Sequence, residues 1–133
     1  MRKVKILSSS KDGTRHLCID EINAKTILAY VNSDERHKKK FRYIRDIILQ
    51  GHRVPDLYDK EEINAKCKGI TAMKFFKGQE NDRIYCKEIT TSEGVFVVIA
   101  IELLIRKKQT KISHREKAVI ERIAAYEYEI PKF

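Results

Sequence analysis

The sequence lacks the motifs by which a small enzyme is usually recognised. It has no GxxxxGK followed by Ser or Thr, no GxSxG, no HExxH and no dinucleotide fingerprint. Those absences exclude a P-loop nucleotide site, a serine-hydrolase elbow and a zincin centre. The acidic residues are scattered and mostly neighbour cations, which argues against a two-metal phosphodiesterase. No metal or cofactor is therefore expected. Cysteine is scarce as well: Cys18, Cys67 and Cys86 are isolated, with no CxxC and no His at zinc spacing. An odd, unpatterned set reads as free and mostly buried thiols in a reducing cytoplasm. Long hydrophobic runs are also missing. The longest, Val95–Ile101 continuing to Ile105 past Glu102, falls far below the roughly 20 residues of a membrane span. The short apolar stretch near the start is broken by Lys5 and does not read as a signal peptide. A soluble, cytoplasmic protein with no membrane partner is expected.

What the chain has is positive charge. Its 133 residues carry 28 Lys and Arg against 19 Asp and Glu, a formal charge of +9. Charged residues make up 35% and apolar ones 42%, so one domain spanning 1–133 can bury a core beneath a heavily charged surface. Such an excess attracts polyanions, of which nucleic acid is the commonest.

Taken in order, Val4, Ile6 and Leu7 among lysines suit a short edge strand, and His16–Ile19 can pair with it across a turn at 8–13. Asp20 is placed to cap a helix running to about Val31. Ser33, followed by Asp34 and Glu35, reads as the N-cap of a helix over 34–50, whose apolar side is Phe41, Ile44, Ile47 and Ile48. Gly51 stands at its left-handed C-terminal position. The cations of this helix (Arg36, Lys38, Lys39, Lys40, Arg42, Arg45) read as a solvated face. Val54 before Pro55 breaks any helix there. Strands are predicted over Ile70–Phe76, Arg83–Ile89 and Val95–Leu104, joined by hairpin turns at 78–82 and 91–94. Val95–Ile101 is apolar on both sides and reads as the central strand. Ser113 and Glu116 form a capping box for a last helix, with Val119, Ile123, Tyr126 and Ile130 at helical spacing. The fold class expected is α+β: N-terminal helices, then an antiparallel strand meander, then a C-terminal helix.

The strand pattern gathers cations. Lys74 and Lys77 lie on or beside one strand, Arg83 and Lys87 on the next, and Arg106, Lys107 and Lys108 follow the third. In an antiparallel meander Lys74 approaches Arg83 across the first turn. Attack by a ribose 2′-hydroxyl on the adjacent phosphate needs a base, a charge stabiliser and an acid. Lysine titrates near ~10.4 and becomes a useful base when other cations crowd it. Arginine stays protonated and offers a fork of donors matched to phosphate oxygens. On the residues alone, Arg83 and Lys87 also fit the wet face of a half-buried sheet, with functional use only slightly favoured.

The run MKFF…DRIYC…VFVVIAIELLIRKKQTKIS…EKAVIERIAAYEYE, covering residues 69–129, resembles the RelE/HigB/ParE superfamily of bacterial toxins. The basic helix over 33–51 also suits that family. The resemblance implies a RelE-like fold and a ribosome-dependent mRNA endonuclease held in check by a cognate antitoxin. It gives Arg83 the role of phosphate-binding arginine and puts Lys74 where members carry Arg or Lys. Lys107 and Lys108 match the basic pair before the last helix. The implied catalytic set is thus Lys74, Arg83, Lys107 and Lys108. Lys77, Lys87, Arg106 and Lys111 would hold RNA, with Tyr126 or Tyr128 stacking on a base. Tyr126 shares the helix's apolar stripe and reads as core, leaving Tyr128 as the better stacking residue. Two positions depart from the family: Ala72 replaces a common Glu, and Asp82 the usual aromatic before Arg83. His114 lies too early for the family's C-terminal histidine. The rival readings are a ParE-like toxin directed at a topoisomerase, a non-catalytic basic RNA-binding domain, and an inert domain of a larger assembly.

Overall fold

A computed structural model describes residues 1–105 and 113–133. Strands β1 (Arg2–Ser9) and β2 (Arg15–Asp20) come first, followed by helices α1 (Ala24–Val31) and α2 (Glu35–Gln50). Then come β3 (Tyr58–Lys60), a 3-10 turn at Ala65–Cys67, β4 (Ile70–Phe75), β5 (Asp82–Thr90) and β6 (Phe96–Leu104). Helix α3 (His114–Ala124) and the short β7 (Tyr128–Glu129) complete the described chain.

The expected order of N-terminal helices, antiparallel meander and closing helix, with its RelE-like arrangement, is incorrect. The strands form one curled, mixed sheet of seven in the order β3-β4-β5-β6-β2-β1-β7. The meander β3 to β6 is antiparallel, but β2 lies beside β6 in parallel, with Arg15 opposite Phe96 and Ile19 opposite Ala100. A second parallel pair sets Arg2 of β1 opposite Tyr128 of β7. The physical reason is burial. Leu17, Cys18 and Ile19 are wholly inaccessible, so β2 is a six-residue interior strand with a neighbour on each side. A parallel partner announces itself by no turn in the sequence.

The sheet is covered on both faces. Ile27, Val31, Ile44 and Ile48 of α1 and α2 pack with Met73, Phe75, Ile84 and Val98 on one side. Val119, Ile120 and Ile123 of α3 pack with Ile70, Tyr85, Val97, Ile99 and Ile101 on the other. All five residues Val97–Ile101 of β6 are fully buried, as a strand covered on both faces requires. No helix among the described residues is long and apolar enough to cross a membrane.

The helix ends explain themselves locally. The N-cap of α2 is Asp34, whose carboxylate accepts from the His37 amide at 2.8 Å; Ser33 instead donates its hydroxyl to the Tyr30 carbonyl at 2.7 Å. Gly51 ends α2 at φ 72°, and a Cβ there would stand 3.4 Å from the Arg15 guanidinium. At α3 the capping box forms: Ser113 Oγ accepts from the Glu116 amide at 3.2 Å and Glu116 Oε1 accepts from the Ser113 amide at 3.3 Å. Ser113→Ala is expected to cost about 1 kcal/mol of folding stability, read as a lower urea midpoint at unchanged slope. The helix stops at Ala124, short of the predicted Ile130, because the next residues are drawn into pairing with β1. The Arg2 amide donates to the Glu127 carbonyl at 2.9 Å.

Candidate functional site

The antiparallel register sets Lys74 of β4 directly opposite Arg83 of β5. Alternation along each strand puts both on the side of Ala72 and Tyr85, the face covered by α3. This is not a wet face. Arg83 is only 4% exposed, and its Nη1 donates to the Asp82 carbonyl at a long 3.2 Å. Its Nε is buried and finds no hydrogen-bond partner among the described residues. A guanidinium has five donors, so this one retains bonding capacity in a place where water is scarce.

The electrostatics agree. Burial pushes the Arg83 pKa below its ordinary value, although Tyr85, Glu61, Glu116 and Asp82 pull the other way. Half-buried Lys74 is also lowered, first by desolvation and then by the Arg83 charge, against the nearby carboxylates of Asp59 and Glu61. Beside them Tyr85 donates its hydroxyl to Glu116 Oε2 at 2.8 Å. Burial pushes the Tyr85 phenol far upward, so it stays protonated and keeps that bond. Glu116 thereby ties the first turn of α3 to the same strand that carries Arg83. The result is a desolvated arginine beside a lysine that gives up its proton more readily than a solvated one. Chemically, the pair can hold an oxyanion and accept a proton from a neighbouring hydroxyl.

The other expected contact residues are placed differently. Lys87 donates from Nζ to the carbonyls of Ala124 at 3.1 Å and Tyr126 at 3.0 Å, satisfying the C-terminal end of α3. That contact ties β5 to the end of the helix. Exposed Lys77 is paired with Asp56 at 2.7 Å. Both tyrosines pack with the α3 side of the core, to different depths. Tyr128, expected to stack on a base, is 6% exposed and donates to Asp20 Oδ2 at 2.6 Å. Tyr126, expected in the core, is half-buried, with the Arg2 guanidinium 3.9 Å over its ring. Arg106, Lys107, Lys108 and Lys111 lie outside the described residues; Arg106 follows Leu104, the register partner of Arg83, by two positions.

Sequence reasoning missed Tyr85, Glu61 and Glu116 as members of this cluster. Tyr85 had a signal, since the strand period of two puts it on the face of Arg83. Glu116 was legible only as a helix cap. Glu61 approaches through the β3–β4 pairing, which no local pattern announced. On the other face, the cationic helix α2 behaves as the expected solvated surface, with Arg36 on Glu80, Lys38 on Glu35 and Arg45 on Asp46.

Compared with known proteins, the chain matches no family model, no curated protein and no solved structure.

Proposed function

We propose that this protein binds RNA at the Lys74–Arg83 pair and cleaves the phosphodiester without a metal, as a toxin-type endoribonuclease. The observation that carries the reading is the cross-strand pairing of a proton-releasing lysine with a buried arginine whose Nε has no hydrogen-bond partner among the described residues. In this scheme Arg83 holds a non-bridging phosphate oxygen and stabilises the charge of the phosphorane. The neutral Lys74 amine takes the proton of the ribose 2′-hydroxyl, whose oxygen then bonds to phosphorus. The bond to the 5′-oxygen breaks, and that oxygen is protonated by a second ammonium, the part given to Lys107 or Lys108. The products are a 2′,3′-cyclic phosphate and a 5′-hydroxyl.

Messenger RNA on the ribosome as substrate, and a neutralising antitoxin as partner, enter this proposal through the resemblance of residues 69–129 alone. The +9 charge adds that an acidic segment is the partner chemistry this surface favours.

Inducible expression with mapping of RNA 5′ ends tests the reading. The expected result is growth arrest with new 5′-hydroxyl ends inside translated frames. Lys74→Met should lower cleavage about 10²–10⁴-fold, the usual size of a general-base contribution, while leaving salt-dependent RNA binding in place. The wild-type rate should rise with pH and level off below 10.5, because the active form of Lys74 is the deprotonated one and its pKa is lowered. Arrest with intact RNA would overturn the nuclease in favour of a topoisomerase-directed toxin. Tight RNA binding with neither cuts nor arrest would leave a non-catalytic RNA-binding domain.

A further inference from the structure

On the opposite face of the sheet from Lys74 and Arg83, three side chains from separate segments converge. His37 comes from the first turn of α2, Glu80 from the β4–β5 connection and Asp82 from the start of β5. The ligating atoms of all three lie within 4.8 Å of one another. We infer that His37, Glu80 and Asp82 form a zinc site that clasps α2 to the β4–β5 connection.

Two of the three are already held as metal ligands usually are. His37 is 9% exposed, and its Nδ1 donates to Asp34 Oδ1 at 2.6 Å. A carboxylate only accepts, so this bond fixes the proton on Nδ1 and leaves the Nε2 lone pair available to a cation. No hydrogen bond to Nε2 occurs among the described residues. Asp82, 4% exposed, receives the Tyr30 hydroxyl on Oδ2 at 2.6 Å. Burial and Asp82 itself push the Tyr30 phenol far upward, so it remains a donor there. Glu80, 43% exposed in its side chain, is the adaptable ligand. Around tetrahedral zinc, with bonds of about 2.0–2.2 Å, ligand atoms stand roughly 3.4 Å apart. Movement of Glu80 on its exposed turn supplies the remaining closure.

The position near Glu80 is now served by Arg36, whose Nη2 donates to Glu80 Oε1 at 2.6 Å while its guanidinium lies 3.7 Å over the Phe76 ring. Zinc and Arg36 therefore compete for one carboxylate. That competition makes the site testable, because removing the arginine should strengthen binding rather than weaken it. One imidazole and two carboxylates leave a fourth position for water. The site sits on the face away from Lys74 and Arg83, and the inference stands whether or not RNA is cleaved.

The full-length chain, stripped with EDTA, is titrated with zinc chloride at pH 7 by calorimetry, with thermal unfolding in parallel. One equivalent should bind and raise the melting temperature. Glu80→Gln, an exposed change that spares the metal-free fold, should weaken binding at least about tenfold, and Asp34→Asn about 10–100-fold. Arg36→Gln should tighten it. The ¹⁵N resonance of the His37 Nε2 should shift on titration. Absence of saturable binding overturns the inference. So does binding that is indifferent to Glu80→Gln and Arg36→Gln and leaves His37 unmoved, which would place the metal on His16, His52 or His114.

Discussion

Arg83→Met is expected to abolish the proposed RNA cleavage and growth arrest while leaving the protein as stable as the wild type, or more so. Most buried arginines resist replacement because a carboxylate depends on them. Among the described residues Arg83 instead makes one long bond to a backbone carbonyl, and its Nε goes without a partner. The downward shift of its pKa means that desolvation outweighs the help of Glu61, Glu116 and the other acids. The folded state thus disfavours this charge. Taking a charge out of water is itself unfavourable, so removing one that no close carboxylate compensates relieves a desolvation cost. Methionine fills a similar volume and supplies no donor. Urea unfolding and an expression assay, run on the same variant, decide the matter. A loss of more than about 2 kcal/mol would make Arg83 a structural ion held by those acids, and the phosphate-binding assignment would fall with it. Stability kept and toxicity lost is the signature of a residue retained for function at some expense to the fold.

The second large effect belongs to Asp20. It is wholly buried and accepts four hydrogen bonds: Arg2 Nε at 2.7 Å, the Tyr128 hydroxyl at 2.6 Å, and the amides of Ile22 at 2.8 Å and Asn23 at 3.2 Å. Through one carboxylate the ends of β1 and β7 are joined to the turn that begins α1. Burial alone would raise its pKa, but Arg2, Tyr128 and the Asn23 amide outweigh that and hold it below the ordinary value. A depressed carboxylate pKa contributes stability that is present above the unfolded value of about 3.9 and is lost as pH falls through the folded one. Asp20→Asn keeps the shape and removes the charge. It should cost about 3 kcal/mol at pH 7, the range for removing one member of a buried ion pair. The gap from wild type should close as pH drops below about 4. Equal acid sensitivity in the two proteins would show that Asp20 is not the group responsible.

The parts of the fold that sequence made legible are those fixed within a few residues of themselves. The β4–β5–β6 meander was readable because alternating runs are separated by glycine-bearing turns, and the Lys74–Arg83 pairing followed from that. Gly51 and the Ser113–Glu116 box were readable for the same reason. Ser33 misled because its hydroxyl is taken by the Tyr30 carbonyl at the end of α1, which passes the cap to Asp34. The parallel strands were illegible because their partners lie far along the chain and no turn links them. The surroundings of Tyr128 and Lys87 were illegible on that account. Once β7 joins β1, Tyr128 turns inward to Asp20, and Lys87 meets the end of a helix whose length the apolar stripe overstated.

The parallel pairing of β2 with β6 has a consequence for how the chain is made. Arg15 emerges from synthesis long before Phe96, so Leu17, Cys18 and Ile19 wait with only β1 beside them and one strand edge open. Strand pairs so distant in sequence close slowly, and an apolar edge left open is a template for association with other chains. The Cys18 thiol shares that interval, since it is covered on the far side only when β6 and α3 arrive. Slower, cooler synthesis should therefore favour the native pairing over its intermolecular imitation, read as a larger soluble fraction.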